Sequence, residues 1–426
     1  MTYEETLWWI HSTERFGSQL GLTRMQELLR RLGNPQDSLQ YIHVAGTNGK
    51  GSTTTMIAGA LQAAGFRTGK YISPFILEFR ERMQIDGEMI PPDELVKAAE
   101  QVRPVAERMG QEGMPPTEFE LVTAIGFLWF AARHCDIVVL EVGLGGRLDA
   151  TNVIAPPLVS VITRIDYDHT AILGDTLTQI ATEKCGILKP GSRVVCYPDQ
   201  AEEALSVIRS RAAEEGDKLI LPDRREITVF SEGLSGSEIS YRGIRVFIPL
   251  AGEHQILNAT AAMEALSALS GTRFAVPPAA VAAGIAAVRF PARLEILREK
   301  PPVILDGAHN PNGGTALAEA LRMLGLRDLT VVVGMLRDKD CAPVLRMIAP
   351  YCRRMIVTSV PNPRSHTAAE LAALAAPNCA EVTIQENNEL AVREAMQACD
   401  ENGVLVFGSL YLASAVRPLL RQLCEE

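Results

Sequence analysis

Tyr41-Ile42-His43-Val44-Ala45-Gly46-Thr47-Asn48-Gly49-Lys50-Gly51-Ser52 is the stretch whose reading decides the fold. It opens as a short, mostly apolar run, as a buried strand would. Three glycines follow within six residues (Gly46, Gly49 and Gly51), and residues 53–64 read as a helix of small and apolar side chains. Strand, glycine loop and helix in that order make a phosphate cradle. Glycines let backbone N–H groups turn toward an anion, the helix N-terminus adds partial positive charge, and Lys50 adds a full one. A strict G-x-x-x-x-G-K-[ST] loop would place glycine at 44 and a hydroxyl at 51. Here these are Val44 and Gly51, and the nearest hydroxyls are Ser52 and Thr53. The plain alternative, a glycine-rich turn with an incidental lysine, leaves the order of strand, loop, lysine, hydroxyls and helix unexplained.

The chain has 426 residues, too many for one core, so two or three domains are expected. Hydrophobic residues make up 47% and charged residues 22%, as in ordinary globular proteins. Net charge is −10, which argues against a nucleic-acid partner but leaves room for an anionic substrate in a local basic pocket. Residues 1–10 contain Glu4 and Glu5 with no basic run ahead of an apolar stretch, and apolar stretches such as 125–132 are too short to span a bilayer. The eight cysteines are scattered without a CxxC pair and read as reduced thiols. A cytoplasmic location, no membrane contact and a monomer are the expectations.

Residues 2–10 and 23–32 read as helices, with a glycine-containing loop over 16–22. Strands follow at 68–72 and 83–85, then helices from Pro91 to about 109 and over 117–133. Residues 136–141 form an apolar strand that ends in Glu141. In an open parallel sheet ligands sit beyond the carboxyl ends of strands, which places Glu141 where chemistry would be. A glycine-rich loop spans 143–152. A strand at 158–162 leads to Asp166, Asp168 and His169, and a helix over 176–187 carries Glu183 and Lys184. Residues 227–248 read as an antiparallel ribbon with a turn at Gly243. Past Lys300-Pro301-Pro302, strands at 303–305, 330–333, 355–358, 381–384 and 404–407 alternate with helices. The expectation is an α/β chain. A P-loop-type ATPase domain with a mostly parallel sheet covers 1–292, and a smaller doubly wound α/β domain covers 293–426.

A nucleoside triphosphate held by Lys50 brings magnesium, which prefers oxygen ligands and keeps several waters. Ser52 can supply a hydroxyl, Glu141 a carboxylate, and Asp166, Asp168 and His169 occupy the equivalent place after another strand. Each alone reads as an ordinary loop residue; three strand ends around one nucleotide favour the metal reading. Lys184, beside Glu183 on a helix, reads first as part of a solvated face. A lysine near two divalent ions would be repelled unless neutral, or converted to a carbamate that ligates metal.

The chain resembles the folylpolyglutamate synthase and dihydrofolate synthase family of the Mur ligase superfamily. The match rests on Gly46-Thr47-Asn48-Gly49-Lys50-Gly51-Ser52-Thr53, Ser73-Pro74-Phe75, Phe79-Arg80-Glu81-Arg82 and the run from Glu141 through Gly145-Gly146-Arg147-Leu148-Asp149 to Asn152. It continues through Asp168-His169, Glu183-Lys184-Cys185-Gly186-Ile187, Asp306-Gly307-Ala308-His309-Asn310-Pro311 and Phe407-Gly408-Ser409, so it covers essentially the whole chain. Where several members have histidine after Ser73-Pro74, this chain has Phe75.

The resemblance implies an ATP-dependent ligase that adds L-glutamate to a folate, and leaves open whether dihydropteroate is also an acceptor. It implies ATP contacts at Gly46, Thr47, Asn48, Gly49, Lys50, Gly51, Ser52, Asn258, Arg293 and Asp306. Magnesium, in two sites, would take Ser52, Ser73, Glu141 and His169, with room for a monovalent cation. Lys184 matches a carbamylated lysine. Folate or pteroate contacts fall at Leu20, Gly21 and Leu22, at Thr117, Glu118, Phe119 and Glu120, and at Leu148, Asp149 and Ala150. Catalytic roles fall to Lys50, Lys184, Asp306 and His309, with Ser409 on the glutamate side. An acyl phosphate must be kept from water, so domain closure about residues 290–300 is expected. Two rivals stand beside this reading. A cell-wall Mur ligase would carry a UDP-sugar domain ahead of the loop, for which the stretch before Gly46 is short. A nucleotide-binding module without ligase activity would leave Asp149, His169, Lys184 and His309 unexplained as a set.

Overall fold

A computed structural model describes residues 1–13, 21–75, 77–289 and 291–425. The chain forms two compact units. The first holds Met1–Ile227, Tyr241–Val246 and Leu257–Val288; the second holds Thr228–Ser240, Phe247–Ile256 and Arg289–Glu426.

The first unit is built on strands β1 (Tyr41–Ala45), β2 (Thr68–Tyr71), β3 (Met83–Ile85), β4 (Glu88–Met89), β5 (Ile137–Glu141), β6 (Val159–Ile162), β7 (Arg193–Cys196) and β8 (Lys218–Ile220). They form one sheet of order β4-β3-β2-β5-β1-β6-β7-β8. From β2 to β8 neighbours run parallel, and β3 and β4 add an antiparallel edge. β1 and β5 are buried over their full length, as central strands covered on both faces must be, so they read as nearly unbroken apolar runs. Val44 pairs with Glu141 and Ala45 with Ile162, so β5, β1 and β6 end side by side. The glycine loop, Glu141 and the segment leading to His169 therefore leave the sheet at one edge.

The helix after the glycine loop spans Lys50–Ala63 and begins three residues earlier than the composition suggests. Gly49, at φ 84°, is its left-handed cap, so Lys50, Gly51 and Ser52 form the first helical turn. Gly51 reads as loop, yet glycine is tolerated there because first-turn N–H groups lack helical partners in any case. This helix packs very closely on the helix Pro278–Ala286. A Cβ placed on Gly284 would lie 2.3 Å from Ala60 Cα, and one on Gly59 would lie 2.8 Å from the Gly284 carbonyl oxygen. On the other face of the sheet lies the helix Glu118–Ala132, whose Thr117 and Glu120 form a reciprocal capping box.

Strands β9 (Ile227–Gly233), β10 (Gly236–Tyr241) and β11 (Ile244–Ile248) form a three-stranded sheet in chain order. The second unit carries β12 (Glu295–Glu299), β13 (Pro302–Leu305), β14 (Leu329–Val333), β15 (Cys352–Val357), β16 (Val382–Ile384) and β17 (Val404–Phe407), ordered β12-β13-β17-β14-β15-β16. All pair parallel except β12, which runs antiparallel at the edge. β12 was not expected. Glu295, Arg298 and Glu299 give it the charged composition of a linker, which is also how an exposed edge strand resists association. Among the described residues no helix is long and apolar enough to cross a membrane.

Candidate active site

The glycine loop is fastened to the segment after β6. Thr47 N and Asn48 N donate to the Arg164 carbonyl at 2.8 and 3.2 Å, and Asp166 N donates to Thr47 Oγ1 at 3.0 Å. Asn258, buried on the helix Glu253–Ser267, lies directly on Gly49: a Cβ there would stand 2.2 Å from Asn258 Oδ1. This places Asn258 against the loop, far away in sequence.

Two lysines converge on one carbonyl. Lys50 Nζ donates to Gly46 O at 3.2 Å and to Thr47 O at 3.3 Å, while Lys184 Nζ donates to Gly46 O at 2.7 Å. The solvated-face reading of Lys184 is overturned, since its relative exposure is 4%. Its neighbour Glu183 turns outward to Arg147 (2.8 Å), and the 143–152 loop closes over the helix through Arg147 N to Glu183 O (2.7 Å) and Asn152 Nδ2 to Gly186 O (2.9 Å). Burial, then Lys50, pull Lys184 from 10.5 down to about 7, against Asp168 and Asp149. Below about 7 both folded and unfolded chains hold this proton, and the native state carries the full penalty of a buried ammonium. Between about 7 and 10.5 only the unfolded chain holds it, so this group makes stability rise with pH. Lys184→Met should therefore melt higher than wild type at about pH 6 in bicarbonate-free buffer, with the gain vanishing toward about pH 10. A difference in melting temperature that does not change with pH would contradict this.

Glu141 is buried at the end of β5, and its Oε2 accepts Ser73 N at 3.3 Å. Ser52 is also buried, in the first turn of the Lys50–Ala63 helix. His169, at φ 50°, caps the short helix Thr170–Leu173, and its N–H donates to Asp168 Oδ1 at 2.9 Å. Among the described residues no three His, Cys, Asp or Glu side chains gather into a metal-holding group. A carboxylate, hydroxyls and one imidazole form a sparse set of mainly hard donors. That fits magnesium, which leaves most of its coordination to water and phosphate, better than a metal that needs a full protein cage.

The three segments expected to meet the pterin lie together. Gly21 N donates to Leu148 O at 3.4 Å, and Arg24 Nε contacts Glu120 Oε2 at 3.2 Å; Leu20 falls outside the described residues. The Phe119 ring rests on Gly143 and stands 6.2 Å from Tyr71. Two acids of this group turn inward. Glu120 Oε2 accepts Thr117 N at 2.7 Å, while Asp149 Oδ1 accepts Thr151 N at 2.9 Å and Oδ2 accepts Leu144 N at 2.9 Å. Burial raises the Asp149 pKa against those hydrogen bonds. Glu118 stays near the surface, with Oε1 3.3 Å from His11 Nδ1. Nearby, the Arg82 guanidinium stacks 5.2 and 5.6 Å from the Phe75 and Phe79 rings. Residue spacing gave no hint of that stack.

In the second unit, Asp306 leaves β13 beside the end of β17, its N–H donating to Val406 O at 2.9 Å. Its Oδ2 accepts Leu294 N at 2.6 Å and its Oδ1 accepts Ala308 N at 2.7 Å. Burial raises its pKa, opposed by the Leu294 bond and by Arg293. His309 Nδ1 donates to Gly307 O at 2.8 Å, which sets its tautomer. Ser409 is buried, and its Oγ accepts Tyr411 N at 3.1 Å at the start of the last helix. Arg293, Asp306, His309 and Ser409 thus belong to the second unit, and Asn258 to the first.

Comparison with known proteins accounts for both units. The Mur ligase middle domain matches residues 93–266, and the Mur ligase glutamate ligase domain matches 292–410. Folylpolyglutamate synthase of Lacticaseibacillus casei is 38% identical over 99% of each chain. Dihydrofolate synthase/folylpolyglutamate synthase of Bacillus subtilis is 36% identical over 98% of this chain and 99% of its own. The crystal structure of Mycobacterium tuberculosis folylpolyglutamate synthase complexed with ADP and AMPPCP aligns with a TM-score of 0.89 at 33% identity, over 98% of both chains. The chain belongs to the folylpolyglutamate synthase and dihydrofolate synthase family of Mur ligases. It is an ATP-dependent amide ligase, which sets aside the reading as a nucleotide-binding module without ligase activity.

Proposed function

We propose that this enzyme joins the amine of L-glutamate to a carboxylate of a folate, forming ADP and phosphate. The observation that carries the reading is the convergence of Lys50 and Lys184 on Gly46 O at a helix N-terminus. That arrangement opposes folding and favours a polyanion.

A carboxylate is a poor acyl donor because its leaving group would be oxide. Transfer of the γ-phosphoryl group to a carboxylate oxygen, with ADP leaving, gives an acyl phosphate. The glutamate amine then attacks the acyl carbon, phosphate departs, and the nitrogen loses a proton. The chain's own work is to position the groups and stabilise charge. Residues 46–52, Asn258, Arg293 and Asp306 hold the nucleotide; Gly21, Leu22, 117–120 and 148–150 receive the pterin side; His309 and Ser409 serve the glutamate. Glu120 and Asp149 shape the pterin side through the backbone they bind. Magnesium would be held by Ser52, Ser73, Glu141 and His169, and neutralises phosphate charge when bound. Near neutral pH the Lys184 amine is in part unprotonated and can add to carbon dioxide, giving a carbamate and releasing a proton. A carbonyl NMR signal from ¹³C-bicarbonate that disappears in Lys184→Met tests this.

Glu141→Ala and His169→Ala are expected to raise the magnesium concentration for half-maximal activity about tenfold or more, in line with the loss of a metal ligand. An unchanged magnesium titration would reject both roles. The bifunctional name of the Bacillus subtilis relative supports a second reading, in which dihydropteroate is also an acceptor. Phosphate release with tetrahydrofolate and with dihydropteroate, each with and without glutamate, separates the two readings; release that ignores glutamate would sink both. We place the enzyme in the cytoplasm, in keeping with its eight free thiols, and take it to act as a monomer. Sedimentation as a dimer would overturn the second point, and cell fractionation tests the first.

A further inference from the structure

Lys70, on β2, is not among the residues assigned to nucleotide, metal or folate. Its neighbours on β2 face the helix Glu118–Ala132: a Cβ on Gly69 would lie 3.0 Å from the Phe130 ring, and Tyr71 Oη is 2.9 Å from Thr123 Oγ1. Strand alternation sends Lys70 to the opposite face. On β5, Val138 and Leu140 enter the same core as Tyr71 and Phe130, so Val139 and Glu141 share the face of Lys70. Lys70 pairs with Val139, which makes Glu141 its diagonal neighbour. Such positions are roughly 7–8 Å apart, well within the reach of a lysine. The Glu81 and Glu141 carboxylates both act on its ammonium.

Among the described residues, however, Lys70 Nζ makes no direct ion pair or hydrogen bond. Burial lowers its pKa to about 8 while Glu81 and Glu141 hold it up, so it is protonated at neutral pH. A half-buried ammonium without a direct partner weakens a fold, and an apolar side chain would serve the packing beside Val139 better. The reason for Lys70 lies elsewhere.

We propose that Lys70 is a positioning residue for metal entry: its fixed positive charge offsets Glu141, so a bare divalent cation is turned away and the metal enters only with the nucleotide's phosphates. The inference rests on the metal role proposed for Glu141. A lone divalent ion beside Glu141 gains one carboxylate but meets the field of Lys70, on which Glu141 and Glu81 both act. A magnesium nucleotide carries net negative charge, so Lys70 attracts it. Nucleotide and metal then load together.

The test is Mn²⁺ binding to the full chain, followed by electron paramagnetic resonance with and without ADP, with melting temperatures in parallel. Lys70→Met should bind Mn²⁺ without nucleotide about tenfold more tightly than wild type. Lys70→Arg should match wild type, and the gap between Met and wild type should narrow with ADP present. Lys70→Gln serves as a second neutral variant should the methionine form not fold. Unchanged Mn²⁺ affinity in a folded neutral variant overturns the proposal, and so does a lower melting temperature with unaltered affinity. If Glu141→Ala loses Mn²⁺ binding while the neutral Lys70 variants are silent, the metal reading stands and this inference falls. If Glu141→Ala leaves binding intact, both fall.

Discussion

Lys50→Ala is expected to lower ATP turnover by at least about 100-fold, the usual scale for removing a preorganised charge aimed at a reacting group. The same change should leave the melting temperature equal or slightly higher. Lys50 occupies the first turn of a helix, where a cation opposes the macrodipole, and its ammonium donates to the backbone carbonyls of Gly46 and Thr47 at 3.2 and 3.3 Å. Removing it also relieves repulsion on buried Lys184. Loss of activity without loss of stability is the signature of a residue kept for its ligand. Turnover is read as ADP release with folate and glutamate present, and stability as a thermal melt of the same sample. Retained turnover would remove the phosphate-cradle assignment; a collapsed melt would mean that Lys50 is structural.

Gly284→Val carries the largest expected stability effect. A Cβ at this position stands 2.3 Å from Ala60 Cα and 2.4 Å from Ala60 N, and backbone cannot swing aside as a side-chain tip can. The two helices must separate, which costs about 3 kcal/mol or more. The Lys50–Ala63 helix begins with the glycine loop, so nucleotide affinity should fall as well in whatever fraction stays folded. Gly233→Ala is the control, because a Cβ there meets nothing within 4 Å. Urea titration of both variants decides the matter; equal midpoints would show that the contact yields more readily than these distances allow.

What could be read without coordinates was what is local in the chain. The strand-loop-helix order around Gly46–Ser52, the apolar run ending in Glu141 and the alternating elements of the second unit all rest on short-range pattern. What could not be read depends on which way a helix face turns. Glu183-Lys184 looks like a charged surface pair until the 143–152 loop closes over it and sends Lys184 inward. Asn258 and Gly49 lie more than two hundred positions apart, and nothing near either suggests that one side chain replaces the Cβ of the other. Gly59 and Gly284 are common helix residues whose meaning appears only as a pair. β12 escaped notice because its charges suit an edge. Lys70 stayed hidden because its significance comes from strand register.

The buried ammonium of Lys184 has a consequence for anyone who would engineer this enzyme. A screen for heat resistance alone, run near neutral pH, would favour replacing Lys184 with an apolar residue and Lys50 with a residue that suits a helix start. On the roles proposed above for these two lysines, each winner would be as stable as the parent or more so, and inactive. Consensus or directed-evolution work on this scaffold therefore needs selection on turnover at every round, because the positions where stability is most readily gained here are the ones proposed to serve the ligand.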